Sequence, residues 1–214
     1  MIIGYFLNTK DYYDLFIWKK RVLLLKIISQ NTTNYGIQVP SDTILRINLA
    51  WCSSVKQLKD ILEDHKNNSI FLDLPIKRIK PPNNKYTLDD LIPIISSSNQ
   101  IKYFAISNVE SPDDLEDYIE KIPTNIVLVP KIESPTAILN ISEIVNVIPT
   151  DKKILMLDHD DLFAKILKNG EPVDNFKIYI QKLVDYCDSN KVILLRTIGV
   201  MFSDEEKRIS DYVN

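Results

Sequence analysis

The chain contains very little glycine and very little cysteine, and these shortages exclude several classes of protein. Only four of its 214 residues are glycine, so it has no glycine-rich phosphate-binding loop of the P-loop or dinucleotide kind. Its two cysteines, Cys52 and Cys187, form neither a disulfide framework nor a zinc motif. We therefore expect reduced thiols, which suit a cytoplasmic protein.

A large charge of one sign and long apolar runs are lacking as well. The formal net charge of −3 gives no electrostatic basis for binding nucleic acid or an acidic membrane. No apolar run reaches the roughly 20 residues that span a bilayer, and Met1–Leu7 lacks the basic-then-apolar layout of a signal peptide. At 45% apolar and 26% charged residues, we expect one globular domain over residues 1–214, with no nucleic-acid or membrane partner.

What the chain does contain is a regular alternation of short apolar runs and helical segments. Ser54, Thr87, Ser111 and Ser134 stand where helix N-caps are expected. Alternating strands and helices indicate a parallel sheet, and at this length a (βα) TIM-type barrel or a near relative. The runs predicted as strands are Ile2–Leu7, Thr43–Trp51, Ile70–Leu74, Lys102–Ser107, the run from Ile126, Lys153–Leu157 and Val192–Thr197.

The strand count depends on Val22–Ile28, which is either the end of the helix predicted over Thr9–Arg21 or a strand of its own. As a strand it completes eight, and the barrel can close. As a helix it leaves seven strands and an incomplete barrel with open edges. Proteins cover such edges, so we then expect another copy of the chain, or the helix predicted over Asp204–Tyr212, to fill the gap. A homo-oligomer is the commonest solution.

Polar residues cluster at the carboxyl ends of the predicted strands, which is where parallel α/β proteins bind ligands. Glu133 and one acid of Asp158–Asp161 follow neighbouring strands and suit a hard divalent cation. Lys131 and Arg46 could balance an anionic substrate and its developing negative charge. The full set is Arg46, Asn48, Asp73, Ser107, Asn108, Lys131, Glu133, Asp158–Asp161, Arg196 and Thr197.

These segments, in this order, resemble the phosphoenolpyruvate/pyruvate barrel superfamily, and the pyruvate kinase barrel in particular. Lys131-Ile132-Glu133 with the helix after it is similar to that family's lysine–isoleucine–glutamate strand and helix. Arg46-Ile47-Asn48 resembles its phosphate- and potassium-binding segment, and Leu72-Asp73-Leu74 the strand before its lid domain. Asp160-Asp161-Leu162 falls where the family has Gly-Asp-Leu. The same segments also resemble citrate-lyase-type and 2-oxo-acid aldolases.

The resemblance implies an enzyme that uses Mg²⁺ or Mn²⁺ to handle a small anionic 2-oxo acid, pyruvate- or phosphoenolpyruvate-like, or its enolate. Aldol-type cleavage or condensation, or a transfer, are the reactions it implies. The implied roles are metal binding by Glu133 and Asp161, catalysis by Lys131 and Arg46, and substrate binding by Arg46, Asn48, Asp73 and Thr197. The family's catalytic threonine is expected at Arg196 or Thr197.

Several departures argue against a working pyruvate kinase. Only Pro75–Tyr86 stands where the family inserts its lid domain. Ala50 and Trp51 replace a serine and a histidine, and Asp160 and Phe163 replace glycines whose backbone would approach a phosphate. The alternative function is therefore of another class, a catalytically degenerate barrel that serves as a binding or assembly subunit.

Overall fold

The structure is a computed structural model, and it describes residues 27–29, 39–77, 82 and 84–196. Seven parallel strands form one sheet in sequential order. The strands are β1 (Ile27–Ser29), β2 (Ile44–Asn48), β3 (Ser69–Leu74), β4 (Ile101–Ile106), β5 (Val127–Ile132), β6 (Ile154–Leu157) and β7 (Ile193–Arg196).

Helices connect these strands and pack on one face of the sheet. None of those the structure describes is long and apolar enough to cross a membrane. Two short 3₁₀ turns, Leu49–Trp51 and Pro112–Leu115, complete the described elements. The helices are α1 (Val55–Asp64), α2 (Leu88–Ser97), α3 (Glu116–Lys121), α4 (Pro135–Leu139), α5 (Ile141–Val147), α6 (His159–Lys168) and α7 (Asn175–Ser189).

The sheet is curled into a half-barrel, and its two faces have different neighbours. On the outer face, side chains such as Leu45, Ile47 and Leu72 pack against the helices in the larger hydrophobic core. On the inner face, apolar side chains from different strands pack on one another: Ile44, Phe71, Ala105, Val129, Ile154 and Met156. Because side chains alternate along a strand, Arg46 lies on the inner face between the outward-facing Leu45 and Ile47.

The prediction of an α/β fold with parallel strands is confirmed for the part of the chain described. Of the ambiguous run Val22–Ile28, the last two residues belong to strand β1, which ends at Ser29. Among the described residues, β1 and β7 are the two edges of the sheet. The strand predicted over Ile2–Leu7 and the helices predicted over Thr9–Arg21 and Asp204–Tyr212 lie outside the described residues.

Two predicted elements are interrupted by asparagine. The strand predicted over Thr43–Trp51 stops at Asn48, whose side-chain oxygen accepts a hydrogen bond from the Ala50 backbone at 3.0 Å and starts a 3₁₀ turn. The single helix predicted from Ser134 divides into α4 and α5 at Asn140, which donates to the Glu110 carbonyl at 2.9 Å. Asparagine side chains compete with backbone hydrogen bonding in this way.

Candidate functional site

The structure brings six charged residues together at the carboxyl ends of neighbouring strands. We call this group the carboxyl-end cluster. Two of its members are cations and four are carboxylates, so acids are in excess. They come from strands β2, β3 and β5, from the residue after β5 and from the start of α6: Arg46, Asp73, Lys131, Glu133, Asp158 and Asp161.

Lys131 is the centre of the carboxyl-end cluster and only 6% exposed. Its Nζ lies 2.7 Å from Glu133 Oε1, 3.8 Å from Asp73 Oδ1 and 3.7 Å from Asp158 Oδ2. It also donates a hydrogen bond to Ser107 Oγ at 3.2 Å. Burial acts to lower the pKa of Lys131, but the charges of Asp73, Glu133 and Asp158 outweigh burial and raise that pKa. The surrounding acids therefore favour the charged form of Lys131.

Glu133 is held from two sides and is 2% exposed. One oxygen pairs with Lys131, and the other accepts a hydrogen bond from the Asn108 backbone N–H at 2.7 Å. Burial raises the pKa of Glu133 above its ordinary value, with Lys131 acting against it and Asp158 adding to it. A carboxylate this deeply buried needs positive charge around it. Lys131 is one such charge, and it is shared with two other acids.

Arg46 and Asp73 form the other ion pair of the carboxyl-end cluster. Arg46 Nε donates to Asp73 Oδ2 at 3.1 Å, and Nη2 donates to the same oxygen. Asp73 is 1% exposed, whereas the Arg46 side chain is 20% exposed. Because Asp73 also faces Lys131, it joins the two cations. The Arg46 side chain thus stays partly accessible while it is paired with Asp73.

Three acids of the carboxyl-end cluster converge in a way that suits a metal ion. Glu133, Asp158 and Asp161 each offer an oxygen, and these atoms lie within 4.8 Å of one another. Asp158 is also the N-cap of α6, where its Oδ1 accepts from the Asp161 N–H at 3.4 Å. The helix dipole favours acids at this position. Carboxylate oxygens are the ligands that Mg²⁺ prefers, so the donor set fits a hard divalent cation.

The remaining predicted site residues fall in different places. Asn48 uses its side-chain oxygen to start the turn after β2. Thr197 lies outside the described residues. Arg196 ends β7, and its charge acts on Cys187 and Asp188 of α7. Since Ile193 and Leu195 pack on the inner face, Arg196 belongs to the helix-covered side, away from the carboxyl-end cluster.

Sequence reasoning gave too little weight to Asp158, Ser107 and Asn108. Asp158 has the pattern of a helix cap and does act as one, but it also lies beside Lys131. Ser107 and Asn108 directly follow β4 and contact Lys131 and Glu133. Their position after a buried strand was the available signal. The two cysteines are free and buried, and burial raises the pKa of Cys52 to about 11 and that of Cys187 to about 12.

Comparison with known proteins supports the fold and leaves the activity open. No family model matches the chain, and no curated protein matches it. Among solved structures it is similar to RipC from Yersinia pestis, with a TM-score of 0.54 and 15% sequence identity over 75% of this chain and 72% of RipC. At that identity the likeness shows a shared fold and nothing further.

Proposed function

We propose that the chain is a Mg²⁺- or Mn²⁺-dependent enzyme that handles a small 2-oxo acid or its enolate, by aldol-type cleavage, condensation or transfer. The observation that carries the proposal is the excess of acids around a buried carboxylate. Glu133, Asp158 and Asp161 converge within 4.8 Å, and Lys131 is the one cation in contact with more than one of the described acids there. A divalent cation would balance this charge.

The residues divide between metal binding and substrate binding. Glu133 and Asp161, joined by Asp158, would hold the cation, which when bound supplies Lewis-acid stabilisation of negative charge on a substrate oxygen. The accessible part of Arg46 would bind the substrate carboxylate, since a guanidinium suits that geometry. Asn48 and Asp73 line the same end of the sheet, and Thr197 completes the proposed substrate-binding set.

Lys131 would act through its charge and not as a base or a nucleophile. Its pKa is raised by the acids around it, and an amine nucleophile needs a lowered pKa. A fixed ammonium group beside the substrate stabilises an enolate without reorganising during the reaction. The proposal is therefore metal-assisted enolate chemistry, and a Schiff base on Lys131 is not part of it.

A pyruvate kinase activity is not proposed. The chain has four glycines in all and only residues 75–86 where that family carries a lid, so little in the sequence could hold a nucleotide.

The free, buried thiols support a cytoplasmic location. A closed barrel, with β1 and β7 bridged by the remaining chain or by a second copy, is part of the proposal. If the protein sediments as a monomer, closure of the barrel by a second copy is excluded.

The test is calorimetric titration with Mn²⁺ in the presence of oxalate, an analogue of the pyruvate enolate. We expect wild type to bind, Glu133→Gln and Asp161→Asn to lose binding at least tenfold, and Glu143→Gln to bind normally. Glu143 is an exposed acid on α5 and serves as the matched control. Unchanged binding in both cluster variants would contradict the metal assignment.

The alternative function is a degenerate barrel that serves as a binding or assembly subunit. One observation favours it, because Lys131 and Arg46 already have carboxylate partners within the protein. Such a network can be satisfied without a ligand. Wild type that binds neither Mn²⁺ nor oxalate would support this alternative over the enzyme.

A further inference from the structure

The backbone of Asn108 adopts an uncommon conformation next to the carboxyl-end cluster. Its φ is +56°, in the left-handed region. Asparagine tolerates this region better than most residues other than glycine. Within the described residues, Lys77 and Lys191 are the other non-glycine residues with positive φ. Lys77 follows β3, and Lys191 lies in the remote turn between α7 and β7.

The neighbouring hydrogen bonds show how the Asn108 N–H is oriented. Successive N–H groups of a strand point to opposite neighbours. The Ser107 N–H donates to the Leu74 carbonyl of β3 at 3.2 Å, so the Asn108 N–H is directed to the opposite side, toward the extension of β5. There it meets Glu133 Oε2 at 2.7 Å. A backbone donor thus reaches a side chain where another strand bond would have formed.

The Asn108 side chain fixes the same turn from the other direction. Its Nδ2 donates to the Ile76 carbonyl, beyond the end of β3, at 2.8 Å. The side-chain amide therefore ties the turn after β4 to the segment after β3. With Glu133 Oε1 on Lys131 and Oε2 on Asn108, both carboxylate oxygens have fixed positions.

We propose that Asn108 is the positioning residue that orients Glu133 for divalent-cation binding. Its backbone N–H donates to Glu133 Oε2, and its side-chain amide ties the same turn to the Ile76 carbonyl. The inference rests on the proposed function, because it assigns a role toward the metal ligand of the same site. Partners of this kind orient metal ligands, and their loss typically weakens metal binding by about 10–100-fold.

The test compares two alanine substitutions that impose the same backbone penalty in different places. Asn108→Ala and Gly170→Ala each put alanine in the left-handed region in place of a residue that tolerates it, and a Cβ at Gly170 would meet nothing within 4 Å, so both should lower thermal stability. Mn²⁺ affinity, measured by electron paramagnetic resonance without substrate, should fall about tenfold in Asn108→Ala and stay unchanged in Gly170→Ala. Asn108→Gly accepts the left-handed conformation but lacks the side-chain amide. Its Mn²⁺ affinity should lie between the affinities of wild type and Asn108→Ala.

The outcomes separate this inference from the proposed function. If wild type binds Mn²⁺ and folded Asn108→Ala binds it within a factor of two of wild type, the positioning role is overturned and the metal site stands. If Gly170→Ala weakens Mn²⁺ binding as much as Asn108→Ala, the effect is general destabilisation and the inference is again overturned. If wild type binds no Mn²⁺ at all, both the proposed function and the inference fail.

Discussion

The amino and carboxyl ends of the strands differ sharply on the inner face of the sheet. At the amino end, Phe71 and Tyr103 stack at 5.9 Å between ring centroids, and Lys152 lies 5.9 Å above the Tyr103 ring. At the carboxyl end, the same strands carry buried charges. The burial of apolar side chains is favourable by itself. The burial of ions costs desolvation free energy unless the ions are well paired. The amino end therefore supports the fold, and the carboxyl end is maintained at a cost that function would explain.

The largest expected effect comes from removing the central cation of the carboxyl-end cluster. Lys131→Met should lower the free energy of unfolding by about 3–5 kcal/mol, because it leaves buried acids without their partner. Ile154→Ala, fully buried at the amino end, should cost about 2–5 kcal/mol through its cavity. Urea unfolding measures both. Substitutions at the two ends would then lower the free energy of unfolding by similar amounts, but for different physical reasons.

A second substitution distinguishes those reasons. Adding Glu133→Leu to Lys131→Met removes a buried acid together with the missing cation, so most of the lost stability should return. Adding the same Glu133→Leu to Ile154→Ala should not restore stability, since a cavity is not filled from the other end. If Lys131→Met costs under 1 kcal/mol alone, the charge network is not the stability liability argued above.

Much of this comparison follows from local sequence pattern. Buried parallel strands are continuous apolar runs, and Ser54, Thr87 and Ser134 do cap helices through their side chains. The pairing of Lys131 with Glu133 agrees with the two-residue period of a strand, which places both side chains on one face. The ends of β3, β4, β6 and β7 are therefore predicted to within one residue, whereas Asn48 shortens β2 and only the last two residues of the ambiguous run Val22–Ile28 belong to β1.

What could not be predicted depends on contacts between distant residues. The break at Asn140 is tied to Glu110, and the Asn108 turn to Ile76 and Glu133. Asp158 has the local pattern of a cap, and its second role appears only when β5 and β6 are adjacent. Local pattern fixes which residues face a common end of the sheet. It does not fix which oxygen meets which nitrogen.

An intermediate effect is expected from Asp73→Asn, which removes one negative charge while keeping the side chain's shape. Loss of the charge-assisted bonds to Arg46 should cost about 1.5–3 kcal/mol in urea unfolding. Because Arg46 and Lys131 then have one counter-charge fewer, metal-free protein should bind oxalate several-fold more tightly. Calorimetry measures this, with the exposed Asp60→Asn on α1 as the control. Weaker oxalate binding in Asp73→Asn would contradict the argument that Asp73 neutralises the charge of Arg46 and Lys131.

The smallest expected effect lies at the rim, where Lys165 of α6 pairs with Glu110 at 2.9 Å. The hydrogen bond from Lys165 lowers the pKa of Glu110 below its ordinary value of 4.5, with burial acting against it. A carboxyl with a lowered folded-state pKa contributes stability above its unfolded pKa and loses it as pH falls through the folded pKa. Both side chains are about a third exposed, at 31% and 40%, so solvent screening keeps the pair's contribution near or below about 1 kcal/mol. Urea unfolding of wild type and Glu110→Gln should therefore differ by this amount at pH 7 and converge as pH falls through the lowered pKa of Glu110. A difference that persists once Glu110 is protonated would show that Glu110 stabilises the rim by packing and not by charge.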